Sequence, residues 1–161
     1  MSSQLNAEAF SPDIREFLRL LALVKAEYLI VGGEAVIFHG FARFTGDVDF
    51  FVSDTPENAQ RIFDALKEFW QGNIPGISSP EDLLEPNTII QFGRPPHRLD
   101  LLNRIDGVQF QQAWPSRVTA RLPGSDEEIP VYFIDLPTLL LNKKASGRPK
   151  DLADIAALKP S

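Results

Sequence analysis

YLIVGGEAVIFHGFARFTGDVDFFV, residues 28–52, decides the fold. Tyr28-Leu29-Ile30-Val31 is a short apolar run that stops at Gly32-Gly33, the pattern of a buried strand entering a tight turn. Residues 34–39 then suit a short helix. Asp47-Val48-Asp49-Phe50-Phe51-Val52 reads as a second strand. Its period of two sends Asp47 and Asp49 to one face and Val48 and Phe50 to the other.

Upstream, Ser11-Pro12-Asp13 places an N-cap, a first-turn proline and an acid before Ile14, Phe17, Leu18 and Leu21 at helical spacing, which predicts a helix over 12–26. Downstream, Thr55-Pro56-Glu57 opens a helix whose Ala59, Ile62, Phe63, Leu66 and Trp70 share a face. Glycine and proline recur over 72–96, so a long connection interrupted by a strand at 88–92 is expected, functional or mobile. Arg98-Leu99-Asp100-Leu101-Leu102 is a further strand. Residues 117–122 and 129–134 flank Pro123-Gly124-Ser125-Asp126 and predict a hairpin. Helices over 136–145 and 150–158 close the chain. The expected fold is α+β: a mixed sheet with helices packed on it, in a single domain spanning residues 1–161.

The composition is that of an ordinary globular protein, with 43% hydrophobic and 24% charged residues. The chain has no cysteine, which excludes disulfides and thiolate-based metal or nucleophilic sites and is compatible with a reducing compartment. No apolar run reaches the roughly 18 residues of a membrane span, and MSSQLNAEAF lacks the layout of a signal peptide, so the expected location is the cytoplasm. A formal net charge of −6 argues against a generally basic surface for long nucleic acid. Arg94, Arg98, Arg104, Arg117 and Arg121 could still form a local patch.

Two carboxylates on one face of an apolar strand repel unless a cation sits between them, and hard oxygen donors of this kind select magnesium or manganese over zinc. The competing reading has both exposed at a strand end and paired with Arg43 or another base. Gly32 and Gly33 permit close backbone approach, and a following helix offers free N–H groups to phosphate, although most glycine pairs mark only a turn. Lys143, Lys144, Arg148 and Lys150 form a basic cluster suited to phosphate, with Lys143 or Lys144 as the favoured ligand; basic residues near a helix end also simply complement its dipole. Asp151 and Asp154 read as first-turn acids or partners of Arg148. His39 reads as a packed residue, His39 and His97 as a weaker proton-shuttle pair, and Trp70 and Trp114 as core.

Taken together, VGG, GDVDFFV and the later RLDLL resemble the nucleotidyltransferase superfamily that includes DNA polymerase beta. The likeness is greatest to minimal bacterial members related to abortive-infection and type IV toxin systems, through residues 28–52 and the closing NKKASGRPKDLADIAAL. The resemblance implies that Asp47, Asp49 and Asp100 are catalytic and hold two magnesium ions, manganese being possible, with Asp100 on the metal that activates the acceptor hydroxyl. It implies that Gly32, Gly33, Arg43, Thr45, Lys143 and Lys144 contact the nucleotide. Asp54 and Asp135 are other candidates for the third acid, and Asp100 has the alternative of pairing with Arg98 or Arg104 on an exposed strand edge. The implied reaction moves a nucleoside monophosphate from a nucleoside triphosphate to a hydroxyl of tRNA, a protein or a small molecule, releasing pyrophosphate. The alternatives are a catalytically inactive nucleotide-binding or partner-binding module, such as a toxin–antitoxin component, or, less favoured, a metal-dependent phosphodiesterase. A cognate antitoxin and a homo-oligomer are the implied protein partners.

Overall fold

Among the described residues, seven strands form one mixed sheet in the order β1-β6-β7-β2-β3-β5-β4. The structure is a computed structural model that describes residues 3–41, 45–93, 98–124 and 126–158. The strands are β1 (Ser3–Gln4), β2 (Tyr28–Val31), β3 (Asp47–Val52), β4 (Ile89–Phe92), β5 (Arg98–Leu102), β6 (Val118–Leu122) and β7 (Ile129–Phe133). The interior strand β3 runs antiparallel to β2 and parallel to β5, while β2 runs parallel to β7. β6 and β7 form the expected hairpin, and β4 pairs antiparallel with β5.

The helices are α1 (Pro12–Leu23), α2 (Gly32–Phe38), α3 (Pro56–Phe69), α4 (Phe110–Ala113), α5 (Leu136–Ser146) and α6 (Pro149–Leu158). Ser11 and Thr55 cap α1 and α3 by accepting from the N–H groups of Ile14 and Asn58. α1 ends three residues before the expected 26 because Lys25 turns left-handed, at φ 57°. α2 begins earlier than expected, taking both glycines into its first turn. No helix of the described residues is long and apolar enough to cross a membrane.

The apolar face of β3 and β5 carries Val48, Phe50, Leu99 and Leu101, all buried. The Phe17 ring of α1 meets Phe50 edge-on at 5.4 Å, and burying each such side chain contributes about 1.5–3 kcal/mol. Asn58, buried in α3, accepts from the N–H of Glu27 and donates to the carbonyls of Glu27 and Ser53 at 2.7–2.9 Å, so one amide ties α3 to the strand ends. The connection from α3 to β4 is anchored: Ile74, Ile77 and Leu83 are buried, and Asn103 donates to the Leu83 and Glu85 carbonyls.

Candidate active site

Strand pairing assembles the acidic centre. β3 and β5 run in parallel with Asp47 opposite Arg98 and Asp49 opposite Asp100, so all four side chains leave the same face of the sheet. The three aspartates each offer a carboxylate oxygen within 4.8 Å of the others. Both strands are interior to the sheet, and Asp100 is buried, so it does not lie on an exposed edge. It does pair with Arg98, whose Nε lies 3.1 Å from Asp100 Oδ1 and whose Nη2 lies 2.6 Å from Asp47 Oδ2. Gln91 on β4 donates to Asp100 Oδ2 at 3.3 Å.

Asp49 is the least compensated of the three. Its Oδ1 is buried without a hydrogen-bond partner among the described residues. Burial, then the charges of Asp47 and Asp100, push its carboxyl up to about 7 against the pull of Arg98. Burial also raises Asp100, opposed by Arg98. Glu34, in the first turn of α2, is pushed up to about 7 by burial and by the charge of Asp47. Sequence spacing alone does not single out this fourth carboxylate. Its signal was an acid two residues past a glycine that ends a strand.

Gly32 adopts φ 65°, and a Cβ there would collide with Asp49 Oδ2, so the missing side chain makes room for the carboxylate. Gly33 is buried beside it. Thr45 Oγ1 lies 3.3 Å from Asp47 Oδ1 and 3.2 Å from the Asp47 carbonyl, orienting the first acid. Arg43 and His97 lie outside the described residues.

The two lysines expected at phosphate both lie in the last turn of α5. Lys143 is buried, its Nζ 3.0 Å from Asp151 Oδ1 and 3.1 Å from Asp154 Oδ2, and faces the α5–α6 contact instead of solvent. Lys144 is exposed in the last turn of α5. Asp151 also takes Arg148 Nε at 2.8 Å, as the i,i+3 spacing suggested. Asp135 is the N-cap of α5, accepting from Thr138, which removes it as a third acid. His39 is half-buried with Nε2 2.7 Å from the Ile134 carbonyl. Of the arginines expected in a distal patch, Arg117 stacks over Trp114 at 3.9 Å, Arg98 lies in the acidic centre, and Arg94 lies outside the described residues.

A mixed sheet in which a glycine turn backs an acidic pair, with a third acid on the neighbouring parallel strand, defines an α+β nucleotidyltransferase-like domain. The chain belongs to the family described as nucleotidyltransferase of unknown function (DUF6036), matched over residues 12–159. No match is found among curated proteins.

Proposed function

We propose that the protein transfers a nucleoside monophosphate from a nucleoside triphosphate to a hydroxyl acceptor and releases pyrophosphate. The observation that carries this reading is the convergence of Asp47, Asp49 and Asp100 within 4.8 Å, with one Asp49 oxygen buried and unpartnered among the described residues. Such a donor set, all carboxylate and short of counter-charge, fits hard divalent cations, two magnesium ions or manganese. When bound, they would neutralise the triphosphate and lower the pKa of the acceptor hydroxyl.

The residues of the chain have separable tasks in this reaction. The acceptor oxygen bonds to the α-phosphorus as the α–β anhydride bond breaks, and pyrophosphate leaves with the anhydride oxygen. Asp100, on the acceptor side, assists removal of the hydroxyl proton. Gly33 and the first turn of α2 supply backbone N–H groups to the triphosphate, Arg43 supplies charge, and Thr45 keeps Asp47 oriented. The acceptor is tRNA, a protein side chain such as tyrosine, or a small molecule, the net charge of −6 weighing against extended nucleic acid.

A second reading has one specific observation in its favour. Arg98 spans Asp47 and Asp100, so the chain itself supplies a cation where a metal would otherwise be needed. In that reading the domain binds nucleotide or a partner without turnover, as a toxin–antitoxin component with a cognate antitoxin, or as a homo-oligomer.

Incubation with each α-labelled nucleoside triphosphate, magnesium and either total tRNA or cell lysate separates the two. Label passing to a macromolecule with wild type, but not with Asp47→Ala or Asp49→Ala, supports transfer and gives the acceptor class. Carboxylate-dependent nucleotide binding without transfer supports the second reading.

A further inference from the structure

The closing segment carries an ion cluster that the proposed chemistry leaves unused. Lys143, Asp151 and Asp154 are buried together, and the single ammonium lies within 3.1 Å of both carboxylates. Buried carboxylates are costly unless charges and hydrogen bonds compensate them. Arg148 compensates Asp151 from outside: its Nε and backbone N–H both donate to Asp151 Oδ2, at 2.8 and 3.3 Å. Burial pushes the Asp151 carboxyl up, but the hydrogen bonds and charges of Arg148 and Lys143 outweigh it and hold it at about 2.

Arg148 is therefore fixed along one edge and open along the other. Its side chain is 72% exposed while that of Asp151 is fully buried. Nε and Nη2 face Asp151, and Nη1 has no hydrogen bond among the described residues. A guanidinium braced in this way has lost much of its side-chain freedom before any ligand arrives, and its planar fork suits phosphate oxygens.

The bracing occurs on the acid-bearing side of the sheet. Phe51, which shares a face with Asp49, stacks edge-on against Phe110 of α4 at 5.2 Å. Asn142 of α5 donates to the Asp106 carbonyl, in the loop that leaves β5. At Gly107 of that loop a Cβ would lie 2.6 Å from Ala145 Cβ, so the end of α5 rests closely on it. Gly147, left-handed at φ 62°, then turns the chain so that Arg148 follows at the corner. The guanidinium is held charged first by Asp151, with smaller contributions from the charges of Asp106 and Asp49.

We infer that Arg148 binds the terminal phosphates of the nucleoside triphosphate and that the Lys143–Asp151–Asp154 cluster is the brace that aims it. Arg148 takes the role that sequence spacing assigned to Lys143 or Lys144. This rests on the reading of the carboxylates as a nucleotidyltransferase centre. It further specifies that the cation facing the leaving pyrophosphate comes from the α5–α6 corner.

The test is calorimetric binding of each ribonucleoside triphosphate, as the uncleavable α,β-methylene analogue, and of each monophosphate, with magnesium. Arg148→Ala is expected to weaken triphosphate binding by about tenfold to a hundredfold, the loss of a charge-assisted hydrogen bond. Monophosphate binding stays within about twofold, and Arg148→Lys falls between. Lys67→Ala removes an equal charge from the exposed face of α3 and is expected to change neither. Unaltered triphosphate affinity in Arg148→Ala overturns the inference, as does an equal weakening of both nucleotides, the signature of a structural role. If wild type binds triphosphate and Asp49→Asn does not, the proposed function survives either of those results. If wild type binds none, both fall.

Discussion

Asp49 occupies the space that a side chain at position 32 would fill. The glycine turn and the acidic strand are thus two halves of one contact, and neither can change alone. Gly32→Ala introduces a Cβ at φ 65° against Asp49 Oδ2. A left-handed non-glycine residue costs about 1–2 kcal/mol before the collision is added. The variant is expected to melt several degrees lower and to lose nucleotidyl transfer, whereas Gly33→Ala affects melting less. A Gly32→Ala melting curve that matches wild type would falsify the contact.

Asp49→Asn is expected to stabilise the metal-free protein while abolishing transfer. The Asp49 carboxyl is raised to about 7 in the fold and has an ordinary value of about 4 when unfolded. Between those limits the folded state holds a proton that the unfolded chain has lost, so this group makes stability fall as pH rises through the window. Melting temperature against pH, followed in the presence of a chelator, should slope downward for wild type over about pH 4–7 and less steeply for Asp49→Asn. Parallel slopes would contradict the buried-charge account.

Arg98→Gln is expected to raise affinity for manganese, read by titration with the metal alone, because it removes a positive charge bridging Asp47 and Asp100. It should also lower the melting temperature of the metal-free protein, since Asp47 and Asp100 then lose their internal counter-charge. Weaker manganese binding in the variant would indicate that Arg98 shapes the site more than it competes for it.

Lys143→Met leaves Asp151 and Asp154 buried without their shared ammonium, and removing one member of a buried ion pair costs about 3–5 kcal/mol. Urea denaturation measures it. The cluster also has a pH signature of opposite sign to that of Asp49. Asp151 is held at about 2, below its ordinary value of about 4 when unfolded, so its contribution is present above that ordinary value and is lost as pH falls toward 2. Acid unfolding of Lys143→Met should begin at higher pH than that of wild type; identical acid transitions would argue that Arg148 alone holds Asp151.

The elements that carry the acids were legible because their signals are local and strong. Asp47 and Asp49 alternate with Val48 and Phe50, Ser11-Pro12 and Thr55-Pro56 punctuate the two long helices, and the hairpin turn stands between two β-rich runs. α4, four residues long, and β1, two residues long, are too short to express a period at all. The place of Lys143 was illegible for a different reason. α5 reads LPTLLLNKKAS, with apolar residues spread around its axis, so spacing alone does not say which lysine turns inward. That choice is made by Asp151 and Asp154, one helix later. Glu34 was illegible because its proximity to Asp47 arises only when β2 folds back antiparallel onto β3, which no local spacing expresses.

The spacing of Asp47, Asp49 and Asp100 is set by the backbone ladder of two interior strands. Insertions or deletions in the β6–β7 turn would leave that ladder intact. Loop length at that rim and carboxylate geometry are therefore separable features of this fold.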